Sequence, residues 1–285
     1  MKLMGHPGPD LRVATGEPPR VTLGEVEVSI TGRCTLACDQ CGFLVPDQPA
    51  PSIGDSVDEL SGSLSHLCRL GIHVEDLAIL GGEPTTNRRL LERAAVELRA
   101  LGVANRIEVV TNGLTPQGLS LRALRAIDRV VVSVYGYDDA LLDRWSRWLG
   151  AVAPSVELRF RRNDGGWDRW TDIVTIDEAT ANRIYSDCWY RRRCVTVERG
   201  RLFACSRIPK LGRDNEGLVL DAATTLSDVQ GYLTRPTALP SCFDCTPMLN
   251  LPTVPAGVQP DDRIDRLQRR AIAWLEAALA RAVVG

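Results

Sequence analysis

The chain has 285 residues, of which 44% are hydrophobic, enough to bury the core of one large domain with a smaller appendage. Its 34 basic and 36 acidic residues give a formal charge of −2, so no basic excess points to a nucleic acid or an anionic membrane surface. No apolar run approaches the roughly 18 residues of a membrane span, and no apolar signal core stands at the N-terminus. The sequence therefore predicts a cytoplasmic protein without nucleic-acid or membrane partners.

Predicted strands and helices alternate along the first half of the chain, after a Gly- and Pro-rich segment over residues 1–24 that is expected to be flexible. Strands are predicted at Glu25–Thr31, Leu77–Leu80, Arg106–Val110, Arg129–Val134 and Val156–Arg162, and helices at Val57–Leu70, Arg88–Leu101, Leu119–Ile127 and Leu141–Leu149. Such alternation is typical of βα units and a parallel sheet, in which ligands bind at the carboxyl ends of the strands.

The pattern changes after about Ile176. A helix at Glu178–Ser186 leads into a cysteine-rich region with a hairpin turn at Arg199-Gly200. A final helix at Asp261–Ala282 carries an apolar stripe that we expect to pack on the core. The chain is thus predicted to have three parts: a flexible lead-in (1–24), an α/β barrel (25–176) and a small C-terminal Cys-rich domain with the closing helix (177–285).

The nine cysteines are at positions 34, 38, 41, 68, 188, 194, 205, 242 and 245. An odd number in a chain of this length argues against a disulfide framework. Eight of them fall into two groups, which indicates metal or iron–sulfur ligation in a reducing compartment. Cys68, His66 and His73 are interpreted as ordinary structural residues. His6 is interpreted as a solvated residue of the lead-in.

The first group, Cys34, Cys38 and Cys41, forms a Cys-x3-Cys-x2-Cys loop directly after the first predicted strand. Three thiolates can ligate three irons of a [4Fe–4S] cluster and leave the fourth iron open to a ligand. Structural zinc sites usually pair two Cys-x2-Cys units, and no fourth ligand lies near this loop. A cluster with one open iron is therefore the favoured interpretation.

Three further motifs follow later strands: Gly81-Gly82-Glu83-Pro84, then Thr111-Asn112-Gly113, then Ser133 with Arg144 eleven positions later. In this order, and each at a strand end, the motifs together with the cysteine loop resemble the radical S-adenosylmethionine (SAM) superfamily over residues 25 to about 175. One departure is Gln40, because the family often has an aromatic residue just before the third cysteine. Phe43 is expected to cover the cluster instead.

The resemblance implies a partial (βα)6 TIM-like barrel whose [4Fe–4S] cluster receives an electron from a donor such as flavodoxin or ferredoxin. The cluster then cleaves SAM to methionine and a 5′-deoxyadenosyl radical, which abstracts a hydrogen atom from the substrate. It further implies cofactor-binding roles for Gly81, Gly82, Glu83, Asn112, Ser133 and Arg144. The glycine-rich turn and Glu83 would meet the methionyl ammonium, Ser133 the ribose and Arg144 the carboxylate.

The second group comprises Cys188, Cys194, Cys205, Cys242 and Cys245, and it resembles the auxiliary-cluster domain of SPASM and twitch radical SAM enzymes. The resemblance implies an auxiliary [4Fe–4S] cluster, with Cys188, Cys205, Cys242 and Cys245 as the leading ligand set. If Arg199-Gly200 is a two-residue turn, Cys194 lies directly across the hairpin from Cys205, so Cys194 stays an alternative ligand. A zinc ribbon is the other interpretation.

The compact length, the single auxiliary cluster and the short segment before the barrel resemble radical SAM enzymes that act on sugars and aminocyclitols in antibiotic biosynthesis. Epimerisation is the expected outcome, with Cys194 as a spare thiol that returns a hydrogen atom to the substrate radical. Oxidation of a secondary alcohol by a dehydrogenase, a peptide-modifying maturase and a non-enzymatic Fe–S or zinc protein are the alternatives.

Substrate contacts are predicted at the last barrel strand and the loop after it. Arg159 and Arg161 share one face of that strand, and Asn163, Asp164 and Trp167 follow in the loop. Polar groups beside an aromatic platform suit a hydroxyl-rich ligand such as a carbohydrate or an aminocyclitol.

Overall fold

The computed structural model describes residues 11–14, 20–47 and 57–284, and one sheet of nine strands runs through them. The strands are β1 (Leu11–Ala14), β2 (Arg20–Ser29), β3 (Ile72–Leu80), β4 (Ala104–Thr111), β5 (Arg129–Val134), β6 (Glu157–Arg162), β7 (Val195–Glu198), β8 (Arg201–Phe203) and β9 (Leu218–Val219). The helices are α1 (Val57–Arg69), α2 (Arg88–Leu101), α3 (Leu121–Leu124), α4 (Asp139–Val152), α5 (Glu178–Asp187), α6 (Trp189–Arg193), α7 (Arg207–Lys210), α8 (Leu226–Leu233) and α9 (Arg263–Val284).

Six of the strands are parallel and lie in the order β6-β5-β4-β3-β2-β7. The predicted α/β architecture, a partial barrel of parallel strands, is confirmed. The sixth parallel strand, however, pairs with β2 and not with β6. Val195 and Val197 of β7 align with Val26 and Val28 of β2, and all four side chains are buried in one core. Matching apolar faces thus bring β7 to the free edge of β2.

Helix α2 shows how local sequence sets the outer layer. Its side-chain cap is Asn87, whose Oδ1 accepts a hydrogen bond from the N–H of Leu90 at 3.2 Å. It ends at Gly102, whose left-handed backbone (φ 61°) suits glycine. Between these ends, Leu91 and Leu98 are completely buried against the sheet. The helix has the predicted bounds because the sequence carries a start signal at Asn87 and a stop signal at Gly102.

The two faces of the sheet differ in chemistry. On β2, Val26 and Val28 point to the helices, so the alternation of a strand places Glu25, Glu27 and Ser29 on the opposite, inner face. The interior of a closed barrel is usually filled by branched apolar side chains. Here the polar inner face surrounds a cavity of about 390 Å³, lined by residues of β2 to β6. A ligand-sized space therefore lies inside the partial barrel.

Two predictions about domain limits need correction. The flexible lead-in over residues 1–24 is wrong in part, because Leu11–Ala14 forms β1, which pairs antiparallel with the start of β2. His6 lies outside the described residues. The predicted boundary near residue 176 does not separate two sheets, since the hairpin β7–β8 extends the barrel sheet through β2. The C-terminal region is built onto the barrel.

Helix α9 packs along α4, as its apolar stripe predicts. Ala271 and Leu275 are buried, and the rings of Trp148 and Trp274 meet edge to face with centroids 5.4 Å apart. Among the helices in the described ranges, none combines the length and the apolar character needed to cross a membrane.

Replacing Arg129 with Met is expected to lower the free energy of unfolding by about 3 kcal/mol. Arg129 and Glu108 form an ion pair at 2.9 Å with side chains only 5% and 7% exposed, so the variant leaves a buried carboxylate without its partner. Chemical denaturation measures the loss. The double variant with Glu108→Met should recover most of the stability, and Arg93→Met, which breaks exposed pairs, should have little effect. Equal losses in Arg129→Met and Arg93→Met would contradict the argument.

Candidate functional site

The cysteine loop and the glycine-rich turn are joined backbone to backbone. The N–H of Gly82 donates to the carbonyl of Thr31, and the N–H of Glu83 donates to that of Arg33, both at 2.7 Å. A Cβ on Gly81 would lie 2.3 Å from the Thr31 oxygen, and one on Gly82 would lie 2.4 Å from the Arg33 oxygen. Glycine is therefore required at both positions by the approach of the cysteine loop itself.

Glu83 fastens the ends of β3 and β4 together. Its carboxylate is 1% exposed and accepts hydrogen bonds from the N–H of Thr85 at 3.0 Å, the hydroxyl of Thr111 at 2.7 Å and the N–H of Asn112 at 2.6 Å. Burial raises the pKa of Glu83, and these donors oppose that shift. Glu83 thus joins the glycine-rich turn to the end of β4 through hydrogen bonds. Its contact with SAM remains a prediction.

Three N–H groups reach the sulfur atoms of the cysteine loop. Cys34 Sγ accepts from the backbone of Leu36 at 3.4 Å and faces the amide of Asn112 at 3.8 Å, and Cys38 Sγ accepts from Gln259 Nε2 at 2.9 Å. Burial raises the pKa of Cys38 to about 11, and the neighbouring Cys41 adds to the shift. N–H donors directed at sulfur suit the negative charge of an iron–sulfur cluster, so these residues fit one.

Gln259 belongs to a segment that lies across the cysteine loop from the far end of the chain. Its Oε1 accepts from the N–H of Ala37 at 2.8 Å, and the carbonyl of Val258 accepts from the N–H of Asp39 at 2.9 Å. The sequence analysis missed this segment, since more than 200 residues separate the partners and no motif marks Gln259.

The aromatic cover of the loop comes from Trp170. Its indole ring lies 3.3 Å from the position of a Cβ on Gly42, beside Cys41. Gln40 holds the same loop, because its Oε1 accepts from the N–H of Thr171 at 2.9 Å. The Phe43 ring instead lies 5.5 Å from Lys210 Nζ. The departure at Gln40 is thus compensated by Trp170 packing on the loop.

A second cavity, of about 460 Å³, opens at the carboxyl ends of β5 and β6. Tyr135, Asn163 and Asp164 are among its lining residues. The ring of Tyr135 meets Trp167 edge to face with centroids 5.4 Å apart. Burial raises the pKa of Tyr135, a hydrogen bond with Ser133 opposes the shift, and the nearby loop cysteines add to it. Tyr135 therefore connects this cavity with Ser133 and with the cysteine loop, neither of which lines the cavity.

The structure brings some of the predicted cofactor residues together and leaves one apart. Asn112 donates to the hydroxyl of Thr35 at 3.0 Å, inside the cysteine loop. Arg144 instead pairs with Glu276 of α9 at 2.9 Å and with Asp143 at 2.7 Å. The site proposed below therefore does not include Arg144, because its guanidinium holds the outer helix.

The second cysteine group gathers where α5 meets α6, at the end of β8 and in the short turn Pro240–Asp244. Burial raises the pKa of Cys205 well above its usual range, and Cys188, Cys245 and Cys242 add to the shift. The four leading candidates therefore lie close together. In the part of the chain that the structure describes, no three His, Cys, Asp or Glu side chains form a site for a single metal ion.

Cys194 lies near Cys205 and Cys188 and also near the inner face of the barrel. The hairpin turn has the predicted two-residue form, with positive φ at Arg199 and Gly200 and with Glu198 paired to Arg201. Burial raises the pKa of Cys194, and Glu27, on the inner face of β2, is the next contributor, ahead of Cys205. Cys194 thus lies between the inner face of the barrel and the second cysteine group.

Buried positive charge surrounds the second cysteine group. Arg191 and Arg207 are 6% and 5% exposed, and the first acts on the pKa of Cys188 and the second on that of Cys245. In the described residues, the buried Nε atoms without a hydrogen-bond partner are those of Arg191, Arg192, Arg207 and Arg235. Arginine Nε atoms without a partner, on side chains that act on these thiols, fit an anionic cluster at this place.

Family comparison agrees with this geometry. A model of the Radical SAM superfamily matches residues 28–174, about half of the chain. The chain belongs to the radical SAM superfamily. As a radical SAM enzyme it uses a [4Fe–4S] cluster and SAM, and the fit of Cys34, Cys38 and Cys41 makes this loop the candidate for the SAM-binding cluster.

Relatives match only in part. The chain is 34% identical over 128 residues to GTP 3′,8-cyclase of Parasynechococcus marenigrum (strain WH8102), covering 42% of this chain and 36% of that protein. It is 28% identical over 148 residues to molybdenum cofactor biosynthesis protein 1 of Drosophila melanogaster, covering 48% and 25%. The chain thus spans well under half of these relatives.

Similar solved structures include BtrN in complex with AdoMet and 2-DOIA, with 15% identity, a TM-score of 0.42 and coverage of 65% of this chain and 73% of that one. Another is native anSMEcpe with bound AdoMet, with 11% identity, a TM-score of 0.40 and coverage of 90% and 99%.

Gly82→Ala is expected to abolish most cluster loading, because the new methyl group displaces the Arg33 carbonyl and with it the loop that begins at Cys34. Iron and sulfide content after anaerobic reconstitution measures the effect. Gly150→Ala in α4, where a Cβ meets nothing within 4 Å, is the matched control and should load normally. Normal loading of Gly82→Ala would contradict the close-approach argument.

Gln259→Leu is expected to make the reduction potential of the SAM-binding cluster more negative, since it removes an N–H donor from Cys38 Sγ that favours the reduced, more negative cluster. A redox titration followed by electron paramagnetic resonance measures the potential. Replacement of the exposed Gln117 by Leu should leave it unchanged. An unaltered potential in Gln259→Leu, with the cluster fully loaded, would refute the contact.

Proposed function

We propose that this radical SAM enzyme abstracts a hydrogen atom from a carbon of a sugar or aminocyclitol and returns one to the opposite face, an epimerisation within antibiotic biosynthesis. The observation that carries the proposal is the position of Cys194, a partly buried thiol whose pKa is raised more by Glu27 of the inner face than by Cys205 or Cys188. When bound, the cluster and SAM supply the 5′-deoxyadenosyl radical, with an electron from flavodoxin or ferredoxin.

The inner face of the barrel supports a polar substrate. Arg159 and Arg161 lie on the predicted face of β6 and line the cavity of about 390 Å³. Their guanidinium groups can donate several hydrogen bonds to hydroxyl oxygens. The second cavity, beside Tyr135 and Ser133, would hold the adenosyl part of SAM at the strand ends.

Cys194 would donate the returning hydrogen atom. Its S–H bond breaks homolytically, a C–H bond forms on the substrate carbon, and a thiyl radical remains on Cys194. One electron from the donor protein and one proton restore the thiol. Substrate and product have the same oxidation state, so no net oxidant is needed.

The second cysteine group would hold the auxiliary [4Fe–4S] cluster through Cys188, Cys205, Cys242 and Cys245. Its arginine surroundings favour a second candidate function, oxidation of a secondary alcohol. Nearby positive charge stabilises the more negative, reduced state of this cluster, which would favour transfer of the substrate electron to the oxidised cluster. GTP is included among the substrates to be tested, because the chain is partly similar to GTP 3′,8-cyclases.

An anaerobic assay in D2O with dithionite and SAM tests the proposal, using aminoglycosides, aminocyclitols, oligosaccharides and GTP as substrates. We expect one deuterium at a single inverted carbon and no net oxidation. In Cys194→Ser, 5′-deoxyadenosine should still form while the inverted product falls to background, because the hydroxyl O–H bond is too strong to replace S–H.

Cys68→Ser in α1 is the control and should behave as the wild type. A ketone product would overturn epimerisation in favour of dehydrogenation, and a cyclised product from GTP would overturn the carbohydrate assignment. Full epimerisation by Cys194→Ser would show that another group donates the hydrogen atom.

A further inference from the structure

The cavity of about 390 Å³ inside the partial barrel is lined mainly by charged side chains, and its cations outnumber its anions. Three acids line it, namely Glu25, Asp76 and Glu108. Five arginines line it as well, namely Arg106, Arg129, Arg159, Arg161 and Arg193. An excess of one charge sign in a cleft raises the local concentration of ligands of the opposite sign. The cavity therefore favours a negatively charged ligand over a neutral or a positively charged one.

The charges that line this cavity are also sorted by depth. None of the three acids has a side chain more than 24% exposed. The side chains of Arg106, Arg159 and Arg193 are 43%, 56% and 64% exposed, and Arg161 is exposed as well. We call these four residues the arginine rim. A ligand that comes from solvent therefore meets guanidinium groups before it meets carboxylates.

Ion pairing leaves hydrogen-bond donors of the arginine rim unused. Arg159 donates to Glu157 at 2.5 Å and Arg193 donates to Glu25 at 3.2 Å, each through Nε. Among the described residues, nothing accepts a hydrogen bond from the terminal nitrogens of these two arginines, and the side chain of Arg161 has no acidic partner. Guanidinium N–H groups in a planar fork match the oxygens of phosphate and carboxylate groups. The rim can thus bind an anion without breaking an ion pair.

We propose that the arginine rim binds a phosphate group of the substrate, which makes the substrate a phosphorylated sugar. A phosphate monoester carries about two negative charges and three acceptor oxygens, so it can accept hydrogen bonds from more than one arginine. The ammonium groups of an aminocyclitol would instead be repelled by the rim. The inference rests on the proposed function, whose substrate class it narrows to sugars that carry a phosphate.

The register of β6 sets the position of this phosphate. Arg159 is level with Val131 of β5, and Arg161 is level with Ser133, one residue before that strand ends. A phosphate bound to these two arginines would lie just below the carboxyl ends of the strands. The sugar ring can then extend toward those ends, where the cysteine loop begins.

Binding of small probes to the reconstituted enzyme with SAM, measured by anaerobic isothermal titration calorimetry, tests the assignment. The probes share one ring and differ in charge: glucose 6-phosphate, glucuronate, glucose and glucosamine. We expect glucose 6-phosphate to bind most tightly, with a Kd that rises with ionic strength, because salt screens attraction between exposed charges. In Arg161→Gln its Kd should rise about ten- to hundredfold, since a hydrogen bond to a charged group is lost.

Arg122→Gln in α3 is the matched control, because it removes an arginine side chain that is 71% exposed and far from the cavity lining. This variant should keep the wild-type Kd for glucose 6-phosphate. Tightest binding by glucuronate would overturn the phosphate assignment in favour of a carboxylate. Tightest binding by glucosamine, a wild-type Kd in Arg161→Gln or no binding by either anionic probe would overturn the anion site.

The binding measurement and the D2O assay fail separately. If no substrate gives an inverted carbon while binding of glucose 6-phosphate depends on Arg161, the proposed epimerisation fails and the phosphate site is supported. If an aminocyclitol gives the inverted product while no phosphate probe binds, epimerisation is supported and the phosphate site is overturned.

Discussion

The candidate site depends on the close approach of two backbones, Thr31–Arg33 and Gly81–Glu83. Two hydrogen bonds of 2.7 Å join them, and neither glycine position has room for a Cβ atom. The contact fixes the loop that begins at Cys34 to the end of β3, and Glu83 then fixes that turn to β4. The cysteine loop is thereby held by the three strand ends β2, β3 and β4, which are rigid because their outer faces share one apolar core.

Charged side chains dominate the inner face of the sheet, whereas apolar packing dominates its outer face. A buried ion pair, Arg129 with Glu108, lies on the inner face of the barrel, and buried arginines whose Nε atoms lack a hydrogen-bond partner lie beside the second cysteine group. Cys194 is near both regions, because Glu27 of the inner face and Cys205 of the second group both raise its pKa, after burial itself. An anionic cluster would satisfy the buried arginine Nε atoms that the chain leaves without partners. The polar interior contributes less to the stability of the barrel than an apolar core would. It is, however, the part of the fold that can recognise a ligand.

Much of the fold could be predicted from the sequence, because local sequence signals determine where most of the barrel helices and strands lie. Helix α2 and strand β5 have the predicted bounds, and the cysteine loop and glycine turn stand at the predicted strand ends. Contacts between distant segments could not be predicted. Trp170 and Gln259 cover the cysteine loop from far along the chain, and β7 finds β2 through matching valines. Arg144 fitted a family pattern, yet it also pairs with Glu276 of α9, which only tertiary packing brings beside α4.

The hydrogen bond from Gln259 to Cys38 spans 221 residues of sequence. During synthesis at typical rates of 5–20 residues per second, roughly 10 to 45 seconds pass between the appearance of the cysteine and that of its cover. The barrel strands and their helices can pair within this interval. The loop meanwhile lacks its contacts with Gln259 and Val258, and for the first part of the interval it also lacks Trp170. The order of synthesis therefore leaves the three thiols open to the machinery that delivers iron and sulfide, and the segment around Gln259 closes over them afterwards.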